Sequence, residues 1–267
     1  MDRILNKIPP FDAGSVWLVG AGPGDAGLLT LYAYEALRQA DVLIYDALVG
    51  PDILALTNSH ATLEYAGKRG GKPSAKQKDI TERLIELARD GKKVLRLKGG
   101  DPYIFGRGGE EALMLAAHDI PFRVIPGISS GVGGLAYAGI PLTHRETNSA
   151  VTFLTGHDAA GEIPNVNWEH IAKGSPVIVL YMAMKHIAII AERLIGFGRS
   201  PEENVAVIFR ATTMDQKVVV STLENVATDI DKSGLKPPAL IVVGDVVKLR
   251  PQLDWYSALL PQTTPET

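Results

Sequence analysis

A glycine-rich turn, Gly20-Ala21-Gly22-Pro23-Gly24, separates a β-branched apolar run at residues 16–19 from a helical pattern over residues 28–40. Strand, tight turn and helix in that order open a crossover unit, and a crossover commits the chain to parallel strand pairing. The arrangement recurs. Further strands are expected at residues 42–45, 94–97 and 122–125, and Ile80, Leu84, Leu87 and Ala88 recur at helical spacing within residues 75–90. Gly91 then stands where a helix-ending glycine belongs. Beyond about residue 143 the expected strands crowd together, at 151–155, 177–181, 205–209, 218–221 and 240–243, with helical stretches at 186–195 and 223–233. The expected fold is therefore α/β in two domains, residues 15–143 with a largely parallel sheet and residues 149–250 with a mixed sheet. Residues 141–148, polar and opened by a proline, read as the linker, and the tail after Pro251 reads as fraying.

The chain has 267 residues, 46% of them hydrophobic, with a mean hydropathy of +0.08, which is ample for such cores. Cysteine is absent, so disulfides, cysteine-ligated zinc and thiol nucleophiles are excluded. A net charge of −3 lacks the basic excess of a nucleic-acid binder, and no nucleic-acid partner is expected. The apolar runs fall far short of a membrane span and no secretory pattern opens the chain, so a cytoplasmic location without a membrane partner is expected.

The turn at Gly20–Gly24 fits neither standard phosphate cradle. The dinucleotide pattern needs glycine at 25, where Asp25 stands, and Pro23 withholds an N–H. A Walker loop fails around Gly71-Lys72, with Ala66 in the first glycine position and Pro73 after the lysine. A ligand wall that does not bind phosphate and a purely structural turn both remain open. Gly99-Gly100-Asp101-Pro102 ends the strand at 94–97, and Pro126-Gly127-Ile128-Ser129-Ser130-Gly131 follows the strand at 122–125. Ligands of open parallel sheets bind beyond the carboxyl ends of strands, where paired glycines admit close approach. Asp46 ends another strand at the same edge. Gly106-Arg107-Gly108-Gly109-Glu110-Glu111 presents a guanidinium suited to carboxylates, while the glutamates also suit a helix first turn. Lys68, Arg69 and Lys72 make a basic glycine-rich loop, and Arg145 and His157 flank the first strand of the second domain. No nucleophile elbow and no zinc-binding helix motif is present, and no metal is expected.

Taken in order, residues 19–30 (VGAGPGDAGLLT), 66–73 (AGKRGGKP), 94–111 (VLRLKGGDPYIFGRGGEE), 124–128 (VIPGI), 136–145 (AYAGIPLTHR) and 153–158 (FLTGHD) resemble the tetrapyrrole methylases, across roughly residues 15–250. The resemblance implies two α/β domains with the active cleft between them, a homodimer, and folded S-adenosylmethionine as methyl donor, released as S-adenosyl-L-homocysteine. It implies C-methylation of uroporphyrinogen III at positions 2 and 7, giving precorrin-2 via precorrin-1, for sirohaem or cobalamin biosynthesis. Carried over by position, it assigns Pro23, Gly99, Gly100, Asp101, Ile104, Ser129, Ser130, Met182, Ala211 and Ala239 to the cofactor. Asp46 becomes proton acceptor, Lys68 proton donor and Arg107 a further catalytic group; Arg107, Glu110, Arg145, His157 and Met182 face the substrate. Ala26 replaces a proline common after the glycine turn, and Ser129-Ser130 stands where Thr-Ala is common. Given the short stretch before Ser15, the chain is expected to methylate only, without the dehydrogenase-chelatase module of some relatives. Another methylase of this fold, acting on a later precorrin or a macromolecule, is the nearest alternative; a nicotinamide-dependent oxidoreductase, with Asp46 as the ribose-binding acid, is the one from another reaction class, and a non-catalytic binding protein is a third.

Overall fold

The computed structural model describes residues 7–66, 77–158 and 160–260. By internal contacts the chain divides into two units, Met1–Ser129 and Ser130–Thr267. The division falls ahead of residues 141–148. The segment at 141–148 is itself an ordered turn: the Asn148 side chain accepts from His144 N and donates to the carbonyls of Leu142 and Ala150.

The first unit runs β1 (Val16–Gly20), α1 (Leu31–Gln39), β2 (Val42–Tyr45), α2 (Pro51–Leu54), β3 (Thr62–Tyr65), α3 (Gln77–Arg89), β4 (Val94–Lys98), α4 (Gly108–Ala117) and β5 (Phe122–Ile125). Its five strands are all parallel, in the order β3-β2-β4-β1-β5. Alternate strand residues face opposite sides. Trp17, Val19, Leu43, Leu95 and Leu97 pack with Ala33, Ala36 and Leu37 of α1. Val16, Leu18, Val42, Ile44 and Val94 pack with Ile80, Leu84 and Ile85 of α3 and with Ala112 and Leu115 of α4. The connection from β1 runs toward β2 and that from β4 toward β5, in opposite directions across the sheet. The adjacent pair β1–β4 is therefore the topological switch point.

The second unit runs α5 (Ser130–Tyr137), β6 (Thr152–Thr155), α6 (Trp168–Gly174), β7 (Ile178–Tyr181), α7 (Ile187–Gly196), β8 (Asn204–Phe209), β9 (Lys217–Thr222), α8 (Val226–Ser233), β10 (Ala239–Val243) and α9 (Arg250–Leu253). The sheet order is β6-β7-β10-β8-β9, with β6–β7 parallel and the other pairs antiparallel. A parallel sheet followed by a mixed one is the expected α/β class.

Three local expectations need correction. The first helix begins at Leu31 and not near 28, because Asp25 caps a single 3-10 turn, Ala26–Leu28, and Thr30 then caps α1 by accepting from Ala33 N. Strand β3 was not expected; it is an edge strand with Thr62 and Leu63 exposed, so its apolar signal is weak. Among the described residues, which end at 260, the tail does not fray after Pro251. Tyr137, Trp255 and Tyr256 form a ring cluster with centroids 4.7 to 5.4 Å apart, and Trp255 Nε1 donates to Ala136 O at 3.1 Å. Aromatic packing needs no periodicity, so the pattern gave no warning of it.

The strand ends of the first unit meet backbone to backbone. A Cβ on Gly20 would lie 2.5 Å from Gly127 Cα, and one on Gly127 would lie 2.2 Å from Gly100 O. Gly127→Ala is accordingly expected to destabilise the chain by roughly 2–3 kcal/mol or more, because the atoms it meets are backbone and cannot yield. Gly174→Ala, where nothing lies within 4 Å, should shift stability by less than about 0.5 kcal/mol. Urea unfolding midpoints compare the two; equal midpoints would remove the joint as a constraint.

Candidate active site

The turns after β1 and β4 are stitched together at the switch point. Ala21 N donates to Lys98 O at 2.8 Å, Gly22 N to Gly100 O at 3.2 Å, and Gly100 N returns to Gly22 O at 2.7 Å. Gly100 has φ +69°, a left-handed conformation that favours glycine. The first two amides of the glycine turn are thus engaged by protein carbonyls, which explains in bond terms why this turn is no phosphate cradle. Pro23 is half-buried within it.

Two carboxylates hold amides of the neighbouring turns. Asp101 Oδ1 accepts from Tyr103 N at 2.8 Å and Oδ2 from Gly127 N at 3.0 Å, tying the turn after β4 to the turn after β5. Asp46, just past β2, accepts from Leu48 N at 3.0 Å and from Gly99 N at 3.2 Å. The fold thus gathers Asp46, Gly99, Gly100 and Asp101 at one sheet edge, with half-buried Ile104 shortly after and buried Ser129 just beyond Gly127. Lys68 and the rest of the basic loop lie outside the described residues.

Arg107 caps α4 in the left-handed region, φ 60°. Its guanidinium grips Glu110 bidentately, Nε to Oε1 at 2.9 Å and Nη2 to Oε2 at 2.7 Å. The Glu110 hydrogen bond holds Arg107 above its ordinary value and, reciprocally, holds Glu110 below the usual carboxylate range. Both side chains are more than half exposed, at 56% and 58%, so the pair contributes at most about 1 kcal/mol.

Glu111, one residue on, is different and was missed as a functional candidate. It is fully buried, with Arg96 Nε 3.1 Å and Gln77 Nε2 2.7 Å from Oε1. Lys98 Nζ lies 3.2 Å from both carboxylate oxygens, though the approach to Oε2 lacks hydrogen-bond alignment. Arg96 also donates to the carbonyls of Ile44 and Leu97. Burial pushes the Lys98 ammonium below its ordinary value and the Arg96 charge adds to this, against the pull of Glu111. The signal was available: two cations at period two on a central, otherwise apolar strand face one side and require a buried anion.

In the second unit the ladder register gathers the other positions. Leu240 pairs with Tyr181 and Ala239 with Phe209, which puts Met182, Ala239 and Ala211 at one end of the sheet. Thr155 also pairs with Tyr181, placing Gly156 and His157 at that end. Ser130 opens α5, whose Gly131 N donates to Tyr181 Oη at 2.8 Å and whose Gly134 abuts Ala211. Met182 is 45% exposed and left-handed, φ 54°. His157 Nδ1 is bonded to Asp158 O, and Arg145 stands exposed on the turn held by Asn148. Among the described residues, no helix is long and apolar enough to cross a membrane and no His, Asp and Glu cluster could hold a metal.

The chain thus holds a unit of parallel strands ending in stitched glycine turns and a second, mixed-sheet unit with its own converging strand ends, a two-unit α/β protein. The comparisons make the class specific. A sequence model of the tetrapyrrole (corrin/porphyrin) methylases matches residues 15–227. A uroporphyrinogen-III C-methyltransferase of Sinorhizobium sp is 62% identical over 97% of this chain and 93% of its own length. A siroheme synthase of Pseudomonas fluorescens is 45% identical over 97% of this chain, which spans 55% of that longer protein. The crystal structure of uroporphyrin-III C-methyl transferase from Thermus thermophilus, complexed with S-adenyl homocysteine, aligns with a TM-score of 0.77 at 40% identity, over 88% of this chain and 99% of the other. The chain belongs to the tetrapyrrole methylases.

With two cations against one carboxylate, Lys98 is the surplus charge. Glu111→Leu is expected to lose about 3–5 kcal/mol by stranding buried cations, whereas Lys98→Met should stay within about 1 kcal/mol of the wild type. A lysine whose folded value lies below its unfolded one weakens folding at neutral pH. That penalty is complete below the folded value and fades as pH rises from the folded value to the unfolded one, so any advantage of Lys98→Met should shrink in alkali. Unfolding free energies of both variants between neutral and alkaline pH test this; equal losses would refute the surplus-charge assignment.

Proposed function

We propose that this protein transfers methyl groups from S-adenosylmethionine to uroporphyrinogen III, at ring positions 2 and 7, giving precorrin-2 via precorrin-1 and leaving S-adenosyl-L-homocysteine. It acts as a cytoplasmic homodimer and its product feeds sirohaem or cobalamin biosynthesis. The observation that carries the reading is the likeness to uroporphyrinogen-III C-methyltransferases over nearly the whole chain, with the glycine turns at Gly20–Gly24, Gly99–Gly100 and Gly127 each following a strand.

The bound donor supplies a methyl already activated by its sulfonium centre, so the chain needs no metal and no nucleophile of its own. What its residues must do is hold an electron-rich pyrrole carbon in line with that methyl. Gly99, Gly100, Asp101, Ile104, Pro23 and Ser129, and in the second unit Ser130, Met182, Ala211 and Ala239, hold the donor. These are mostly small residues, which suits close approach to a bulky ligand. Arg107 and Arg145 meet substrate carboxylates, with Glu110, His157 and Met182 beside them. Methylation of a ring carbon must be followed by loss of a proton; Asp46 accepts it through the lone pairs left over from Leu48 N and Gly99 N, and Lys68 is the donor. Asp101 serves the donor partly by keeping the Gly127 turn in place.

Incubation with methyl-labelled S-adenosylmethionine and uroporphyrinogen III should give a doubly methylated macrocycle. Label on a different tetrapyrrole only would redirect the substrate, and tight NADH binding without S-adenosylmethionine binding would support the oxidoreductase instead. Arg107→Ala is expected to lower kcat/KM by on the order of a hundredfold, the worth of two charge-assisted hydrogen bonds, while the Kd for S-adenosylhomocysteine stays within about twofold. Matching losses in both measurements would count against the substrate role of Arg107.

A further inference from the structure

The turn after β8 is held in an unusual shape by groups that no motif identified. Arg210 (φ 45°) and Thr212 (φ 65°) are both left-handed without being glycine, and they bracket Ala211. Such conformations persist in side-chain-bearing residues only where the surroundings impose them. Here they do. Gln216 is buried, 2% exposed, and its amide is bonded at both ends: Oε1 accepts from Thr212 N at 2.7 Å and Nε2 donates to Tyr137 O at 3.1 Å. Tyr256, in the ring cluster of the C-terminal segment, donates its hydroxyl to Thr212 O at 3.3 Å. The Thr212 peptide is therefore gripped on its N–H and on its carbonyl, and Thr212 itself is 1% exposed. On its other side Ala211 meets Gly134 of α5, the helix that Ser130 opens and whose last residue, Tyr137, receives the Gln216 amide.

We propose that Gln216 is a positioning residue for the methyl donor. It locks the left-handed Arg210–Thr212 turn to the end of α5 so that Ala211 and Ser130 are presented together, with Tyr256 closing the grip from the C-terminal segment. The assignment rests on the reading that Ala211 and Ser130 touch S-adenosylmethionine. A turn that is strained when free relaxes once its clamp is removed, and a site populated only part of the time binds more weakly in proportion. The effect falls on donor affinity and not on the chemistry of the bound complex.

The test uses the full chain, calorimetric titration with S-adenosylhomocysteine and steady-state kinetics. Gln216→Met removes both bonds at similar volume. If the turn then holds its bound shape about a tenth of the time, the Kd and the KM for S-adenosylmethionine each rise about tenfold, with kcat at saturating donor and the KM for uroporphyrinogen III within about twofold. Gln216→Glu keeps the acceptor for Thr212 N and gives up the donor to Tyr137 O. It should raise the Kd about threefold, less than Gln216→Met because one of the two bonds survives, with kcat at saturating donor unchanged, a KM-against-kcat split that a purely structural glutamine would not produce. A folded Gln216→Met protein with wild-type affinity, or losses of affinity in both variants that simply follow Tm, overturns the proposal. Should Gln216→Met not fold, Tyr256→Phe deletes only the hydroxyl on Thr212 O and is expected to raise the Kd about threefold; an unchanged value overturns the grip. Absence of S-adenosylhomocysteine binding by the wild type would remove the functional reading itself, whereas wild-type binding untouched by the variants removes only the role of Gln216.

Discussion

The contact on which the first unit depends is backbone against backbone. Gly20, Gly100 and Gly127 come from the ends of three neighbouring strands; no Cβ fits on Gly20 or Gly127, and Gly100 takes a left-handed φ of +69° that favours glycine. Side chains are thereby excluded from the place where the switch point would otherwise be filled. The turn amides are satisfied by carbonyls of the opposite turn or by carboxylates, because a backbone amide left unpaired at such a close approach costs free energy. The Gly22–Gly100 bridge and the two staples, Asp101 on Gly127 N and Asp46 on Gly99 N, follow from that requirement. On the proposed function Asp46 and Asp101 are structural and functional at once: the bonds that place them are the bonds that shape the turns.

The second unit reaches a similar end by another route. Its strand-end turns use Met182, Arg210 and Thr212 in left-handed conformations where the first unit uses glycine. A side chain in that region needs external hold, and the unit supplies it from buried polar groups: Tyr181 on Gly131 N, Gln216 on Thr212 N, Tyr256 on Thr212 O. The gain is that side chains can stand at these positions, exposed at Met182 and Arg210. Met182 points a flexible thioether outward from a fixed strand end, which glycine could not do.

Strand positions and the parallel-then-mixed order were legible because apolar β-branched runs bounded by glycine and proline report burial directly. The glycine turns were legible as a set, for the same local reason. What escaped was whatever depends on tertiary contact. Helices α4 and α5 carry Gly108, Gly109, Gly131, Gly133 and Gly134, whose poor helix propensity hides them; packing against Ala211 and beneath Tyr181 Oη is what requires those at 131 and 134. The C-terminal segment looked featureless because three rings packing together leave no period. The role of the glycine turn was half read: Asp25 and Pro23 argued against phosphate, but that its amides bond to Lys98 and Gly100 carbonyls is a fact of strand order.

The adjacent glutamates of α4 show how burial alone divides identical side chains between two tasks. Glu111 points inward to Arg96 and Lys98, where breaking the pairing would leave charge in a medium that cannot screen it, so it is fixed. Glu110 points outward to Arg107 in water, where a pair is worth little and its partner can be exchanged at small cost. A polycarboxylate arriving at Arg107 replaces one carboxylate by another, and the displaced Glu110 is simply rehydrated. The guanidinium is meanwhile never without an anion, which keeps its planar fork oriented on the rigid start of α4. The fixed glutamate holds that helix start to β4, and the exchangeable one keeps the arginine ready. On the proposed function, this is how an exposed ion pair of negligible stabilising value serves a binding site better than a lone arginine.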